Sequence, residues 1–484
     1  MISVQNHLQP LNGNSIHYKM FLMRNTLIFN IKAGLFLVLL ILSCTFGYAQ
    51  EGSRKHVVSE LDNYYSLSLK YDLTIEELKL ANPGISSPKP GDILVIPEKG
   101  TLLKESHDNK DCPKNSKNRN VEYHVALMVP LSLEQLTDTL WNAKLEPNRI
   151  NELTPFRFIQ FYQGFMMAAD SLEKQGLKVK IFVYDVDNQI NKVDEVLRKP
   201  EMKTMDLIVG PLFKNSFSKV AGFADENKIP IVNPLSPRPD ILQGNPYVFK
   251  LLPSVESQPA IVADLVWSEY RNFNILFYID NKFQNSELMS QFTSMIEAKD
   301  PEGKLHVKVV DYASDSTLGF RKHASLSKPN LVIIYAENEV LPAALLSKLA
   351  AAKDEYQVTV IGLPEWEKLG NIETKYLISL NTNILMASYT DTGSESVKSF
   401  ITAYRSRYLD EPMTYALTGF DAGYYFLNAL MNYGKDFYSC ADDISFPLIQ
   451  NNFRFMRSVG GGYDNTNWNV LQYLDYYLLK KSFY

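Results

Sequence analysis

The residues able to do chemistry in this chain are arranged for binding rather than for breaking bonds. Seven histidines occur in 484 residues, five of them after residue 49, all well separated, so no HExxH or CxxC-plus-His spacing can hold a catalytic or structural metal. No GxSxG turn is present to raise a serine nucleophile. Gly460-Gly461-Gly462 lacks the Lys-Ser/Thr of a phosphate-binding loop and reads as a turn near the end of the body. Paired Asp and Glu residues are scattered as on solvated helix faces. What is left is a supply of hydroxyl, amide and carboxylate groups for non-covalent recognition of small polar molecules. Neither an enzyme activity nor a cofactor nor a metal is expected.

Those groups are held by an alternation of strands and helices. Apolar runs at 125–129, 179–184, 206–209 and 230–232 alternate with helical patterns at 156–174, 190–199 and 215–227. After 247–252 the rhythm restarts, with strands at 273–279, 305–310, 330–335 and 357–361 and helices near 256–270, 284–298, 316–326 and 338–352. Continuous apolar strands such as ILFYI and LVIIYA suit parallel sheets covered on both faces. Two successive runs of this kind predict two doubly wound lobes, with ligands bound outside the carboxyl ends of the strands.

Composition narrows the partners. Hydrophobic residues make up 45% and the net charge is −5, which excludes a disordered chain and disfavours a nucleic-acid binder. Aromatics reach 12%, enough either to fill a core or to line a binding site. At the amino terminus, Lys19, Arg24 and Lys32 precede an apolar run at 34–43, and Gly47 and Ala49 are small residues two apart. This is the pattern of a signal peptide over 1–49, cut after Ala49. Translation from Met20 or Met23, and lipidation at Cys44 after the ILS run, are alternatives. Cleavage leaves 46 basic against 54 acidic residues, a net −8. An exported chain permits a disulfide between Cys112 and Cys440.

Residues 56–97 form a self-contained unit of strand, helix, helix and strand, in which Thr74 and Glu77 have the spacing of a capping box. Asp62, Tyr65, Ser66, Ile75, Glu77, Leu78, Asn82, Pro83, Gly84, Gly91 and the closing Leu94-Val95-Ile96-Pro97 resemble a LysM domain, a carbohydrate-binding module of βααβ order. The resemblance implies binding of N-acetylglucosamine in peptidoglycan by two loops. They contain Asp62, Asn63 and Tyr64 on one side and Asn82, Pro83, Gly84 and Ile85 on the other. Backbone and Asn groups suit the acetamide, while Tyr64 and Ile85 suit its methyl group. Leu61 stands where the family usually has Gly. Residues 98–120 are polar, of mixed charge, and read as a flexible linker.

Residues 121–484 resemble a type I periplasmic binding protein of the leucine/isoleucine/valine-binding class. The resemblance rests on Pro130-Leu131, Gln163-Gly164, Ala168-Ala169, Asp185, the run from Ile208 to Pro211 with Ser216, the run from Ile229 to Ser236, and Ile279-Asp280-Asn281. It implies three crossings between lobes. Lobe 1 is then about 121–250 and 390–450, and lobe 2 about 251–389 and 451–484. In such a protein hydroxyls and backbone N–H groups of the first lobe hold a ligand carboxylate, and an acidic residue takes its ammonium. The matching positions are Phe213, Asn215, Ser216, Asn233, Leu235 and Ser236 in lobe 1 and Asn281, Phe283, Glu337, Trp366 and Tyr389 in lobe 2. Ser216 and Ser236 suit a carboxylate and Glu337 an amine. Phe213-Lys214 and Lys282-Phe283 depart from the small or Tyr-Gly residues usual there. The expected partners are peptidoglycan and a small solute, with a membrane transporter. The alternative is a cell-wall scaffold that uses the same fold to bind a peptidoglycan synthase.

Overall fold

The structure is a computed structural model that describes residues 54–59, parts of 62–97, and 121–133, 154–279, 287–300, 303–312, 319–336, 340–362, 366, 370–458, 461–474 and 477–481. The expected signal peptide, the linker, and Cys44 and Cys112 lie outside the described residues.

The small amino-terminal unit pairs β1 (Arg54–Val57) antiparallel with β2 (Ile93–Ile96). Its core is Val58, Leu67, Leu73, Leu78, Leu94 and Ile96, with Tyr71 and Ile85 packed against it. So few apolar residues bury little surface, and the unit depends on specific polar ties as well.

The first lobe begins with β3 (Glu122–Val129), α1 (Thr154–Glu173), β4 (Lys178–Asp185) and α2 (Ile190–Leu197). It continues through β5 (Leu207–Val209), α3 (Lys214–Asn227), β6 (Ile231–Asn233) and β7 (Val248–Lys250). The chain then enters the second lobe through α4 (Gln258–Leu265), β8 (Asn274–Ile279), α5 (Glu287–Lys299), β9 (Val307–Asp311) and α6 (Gly319–His323). There follow β10 (Asn330–Tyr335), α7 (Val340–Ala352), β11 (Val358–Gly362), α8 (Thr374–Ser379) and β12 (Asn383–Met386). It returns to the first lobe with α9 (Glu395–Tyr408), α10 (Thr414–Tyr433), β13 (Phe455–Arg457) and β14 (Tyr463–Asn465), and ends in the second with β15 (Asn469–Leu474) and β16 (Tyr477–Lys480). Each lobe is built on a seven-stranded sheet, ordered β13-β14-β7-β6-β5-β3-β4 in the first and β16-β15-β12-β11-β10-β8-β9 in the second. All pairings are parallel except β13–β14, β12–β15 and β15–β16.

The strands predicted from apolar runs agree with these elements to within a few residues. The third crossing between lobes does not fall where expected. Residues 451–465 stay in the first lobe, because Phe453, Phe455 and Tyr463 complete its aromatic core around Phe249. The chain crosses only at 466–468. The glycine run serves the β13–β14 hairpin, where Gly461 has φ +100° and donates to the Ser458 carbonyl. On one face of the first sheet α1 and α10 cross at glycines. A Cβ at Gly164 would sit 1.9 Å from the Ala416 carbonyl oxygen, and one at Gly419 would sit 2.1 Å from that of Phe161.

Candidate functional site

The carboxyl ends of β5, β6, β7 and β14 come together where the chain leaves the first lobe. After β5, Gly210 takes φ +86° and leads through a cis peptide to Pro211 and then Phe213. Phe213 is half-buried at the start of α3, edge-to-face with Phe158 at 6.0 Å, which in turn contacts Tyr415 at 5.1 Å. Asn215 is exposed on the first turn of α3. After β6, the buried Asn233 side chain accepts hydrogen bonds from the N–H groups of Leu235 (3.1 Å) and Ser236 (2.7 Å) and so shapes the loop itself. Leu235 and Ser236 are half-buried. After β3, the Asp185 carboxylate collects the N–H groups of Leu131, Ser132 and Leu133 at 2.8–2.9 Å, which holds Ser132 at φ +47°.

Two expected ligand contacts are spent elsewhere. Ser216 is fully buried and its hydroxyl donates to the Asp187 carbonyl at 2.7 Å, fastening α3 to the loop after β4. Trp366 is 3% exposed, and its ring covers Gly362, where a Cβ would meet ring carbons at 2.4 Å. It fills the second-lobe core because glycine leaves a slot there. Tyr389 lies in the second crossing. Its hydroxyl donates to the Leu478 carbonyl at 3.1 Å, and its N–H donates to the Gln450 carbonyl at 3.3 Å. Asn281, Phe283 and Glu337 lie outside the described residues.

Three polar residues not singled out from the sequence organise the crossings. Lys250, at the end of β7, is fully buried with its ammonium 2.7 Å from the Asp464 carboxylate on β14. Burial pushes the Lys250 pKa down and that of Asp464 up, while each opposite charge works against the shift. Asp421, in the middle of α10, accepts from the N–H groups of Ile449, Gln450 and Asn451 and from the Asn451 amide, at 2.8–3.0 Å. Burial nevertheless pushes its pKa up to about 6. For Lys250 the signal was available: a charged residue at the end of the apolar run at 247–252.

In the small unit Asp62 and Asn82, two of the residues that carry the resemblance, look inward. The Asp62 carboxylate accepts from the Ser59 N–H and lies 2.7 Å from the His56 ring, whose other nitrogen meets the Tyr71 hydroxyl at 2.8 Å. Burial works to raise the Asp62 pKa, but these hydrogen bonds outweigh it and hold the carboxyl below its usual range. The Asn82 amide donates to the carbonyls of Leu78 and Val95, and its oxygen accepts from the Val95 N–H. Both side chains are therefore committed to the fold. Asn63, Tyr64, Pro83 and Gly84 lie outside the described residues. Among the described residues no group of three or more His, Cys, Asp or Glu side chains could hold a metal, and no helix is long and apolar enough to cross a membrane.

Two doubly wound lobes joined by three crossings, with polar loops at the strand ends beside them, define a type I two-lobed binding protein. The chain belongs to the periplasmic binding protein family, which matches residues 158–439, and carries a LysM domain at 56–97. That family is of solute-binding type. Among solved structures, one described as a branched-chain amino acid ABC transporter from Rhodospirillum rubrum is 13% identical, with 75% of this chain and 100% of that chain covered and a TM-score of 0.51. An ABC transporter substrate-binding protein of Desulfitobacterium hafniense in complex with Leu is 14% identical, with the same coverage and a TM-score of 0.43. Full-length LpoA from Haemophilus influenzae is 12% identical, with 75% of this chain and 59% of that chain covered and a TM-score of 0.44. No curated protein matches the chain by sequence.

Proposed function

We propose that the protein is an exported, peptidoglycan-associated solute-binding protein that closes its lobes on a small ligand, an amino acid or a related molecule, for transport or sensing. The observation that carries this reading is the join itself. Three crossings leave the carboxyl ends of parallel strands, where rotation of one lobe on the other opens and shuts a cleft. Phe213, Leu235 and Ser236 stand at that end of the first sheet, with Asn281, Phe283 and Glu337 as the proposed groups of the second lobe. The likeness to the Rhodospirillum rubrum protein puts branched-chain amino acids first among the solutes to try. The LysM domain would hold the protein on glycan through the loops at 61–64 and 82–85, and the linker would give the body reach. Export is supported by the disulfide at Cys440, a bond that persists in oxidising compartments. With residues 1–49 removed, Cys112 is its proposed partner.

A second reading has its own observation. The N–H groups after β3 and β6 that could receive a ligand carboxylate are already taken by Asp185 and Asn233. That favours a cell-wall scaffold whose partner is a peptidoglycan synthase. Thermal denaturation of the mature chain with amino acids, short peptides and muropeptides separates the two. A bound solute at a hundred times its Kd stabilises the fold by about 2.7 kcal/mol. No shift with any of them, together with retention of a synthase on the immobilised chain, would replace the first reading by the second.

A further inference from the structure

We infer that Lys250 is a positioning residue that ties the cleft loop at 233–237 to the first and third lobe crossings, so that displacement of the loop is passed directly to the hinge. Asn233, Lys250 and Asp464 are in register across the neighbouring parallel strands β6, β7 and β14. Asn233 and Lys250 end their strands and Asp464 lies one residue before the end of its own, so the three lead into the cleft loop, the first crossing and the third crossing. The Lys250 ammonium reaches all of them. It donates to the Pro237 carbonyl at 3.4 Å and to the Leu252 carbonyl, and pairs with Asp464 at 2.7 Å.

The ties continue outward from that point. The Ser254 hydroxyl donates to the other Asp464 oxygen at 2.5 Å, and the Asn465 amide donates to the Leu251 carbonyl at 2.8 Å. The Trp468 ring N–H donates to Ser257, whose hydroxyl donates back to the Ser254 carbonyl. A fully buried ammonium is expensive to leave without partners, so none of these segments can withdraw without cost to the others. The second crossing is held differently. The Gln450 carbonyl accepts from the Tyr389 N–H and its side-chain amide donates to the Thr390 hydroxyl, while Gln450 is itself anchored by Asp421 on α10. The link through Lys250 therefore reaches the first and third crossings and bypasses the second, which supplies an internal control.

The link deepens the solute-binding reading and rests on it for its use, since a solute resting on Leu235 and Ser236 would act through it. The link itself is read without any solute. Hydrogen exchange by mass spectrometry on the full mature chain measures it, with Pro237→Gly loosening the cleft loop. We expect that substitution to speed exchange about tenfold at 251–257 and 465–468 and to leave 387–390 within about twofold. In a Lys250→Met background the same loosening changes exchange at 251–257 and 465–468 by less than about twofold. Equal transmission with and without Lys250, or none in the parent chain, overturns the inference. Asp464→Asn keeps the volume and the contact from Ser254. It should weaken transmission to 465–468, which then runs only through the Asn465–Leu251 and Trp468–Ser257 bonds, and keep that to 251–257, which tests the link even where Lys250→Met does not fold. Absence of stabilisation by leucine and other amino acids would remove the solute reading and leave this result standing.

Discussion

Asp421 shows what one side chain does to this architecture. It is the one charged residue among the buried positions of its helix, and all four of the hydrogen bonds it accepts come from N–H donors. Its folded pKa of about 6 lies above the value near 3.9 of an unfolded Asp. The folded state thus binds the proton more tightly. The stability it gains from that is fully present below pH 4 and is lost as pH rises through 6, about 3 kcal/mol in all. We expect the mature chain to melt at lower temperature at pH 7.5 than at pH 5. Asp421→Asn should flatten that slope, which calorimetry at the two pH values measures. At neutral pH the same substitution turns an amide toward the N–H donors of 449–451 and loosens the support of Tyr389 and Thr390.

At the scale of elements, α1 and α10 approach so closely that backbone meets backbone. Gly164 was legible in the sequence as part of a Gln163-Gly164 pair, but its reason was not. Nothing in the local pattern says that Ala416 of a helix some 250 residues away will lie 1.9 Å from a missing Cβ. Gly419→Ala would push that Cβ into the Phe161 carbonyl and force the helices apart, at a cost of about 3 kcal/mol. Urea denaturation should show this as a lower midpoint for the first lobe. The β13–β14 hairpin makes a related point. Its glycines predict a turn, yet its membership in the first sheet depends on the stacking of Tyr463 on Phe249, centroids 4.5 Å apart. A residue in the middle of the chain thereby chooses the lobe for a segment near its end.

Over the whole molecule, the small LysM unit and the two-lobed body have separate cores. Asn82 holds the unit's helical segment to β2 through three hydrogen bonds. Asn82→Ala removes them and orphans buried backbone groups, a loss of about 2–4 kcal/mol that a core of this size cannot absorb. Its expected signature is loss of co-sedimentation with peptidoglycan and an unchanged main melting transition. Retention of co-sedimentation would place the wall contact outside the LysM fold.

The sequence by itself determined the order of elements, because apolar runs and amphipathic periods are local signals. It also determined both families, because short motifs at fixed spacing carry them. Asn233, Leu235 and Ser236 were legible as strand-end residues for the same reason. The tertiary structure decided which of those side chains still face outward. Ser216 and Trp366 have the right position in the chain and the wrong surroundings, one bonded to Asp187 and the other laid over Gly362. It alone decided that Lys250 and Asp464 would meet. They are more than 200 residues apart, and only the pairing of β7 with β14 brings their charges together beneath the crossings.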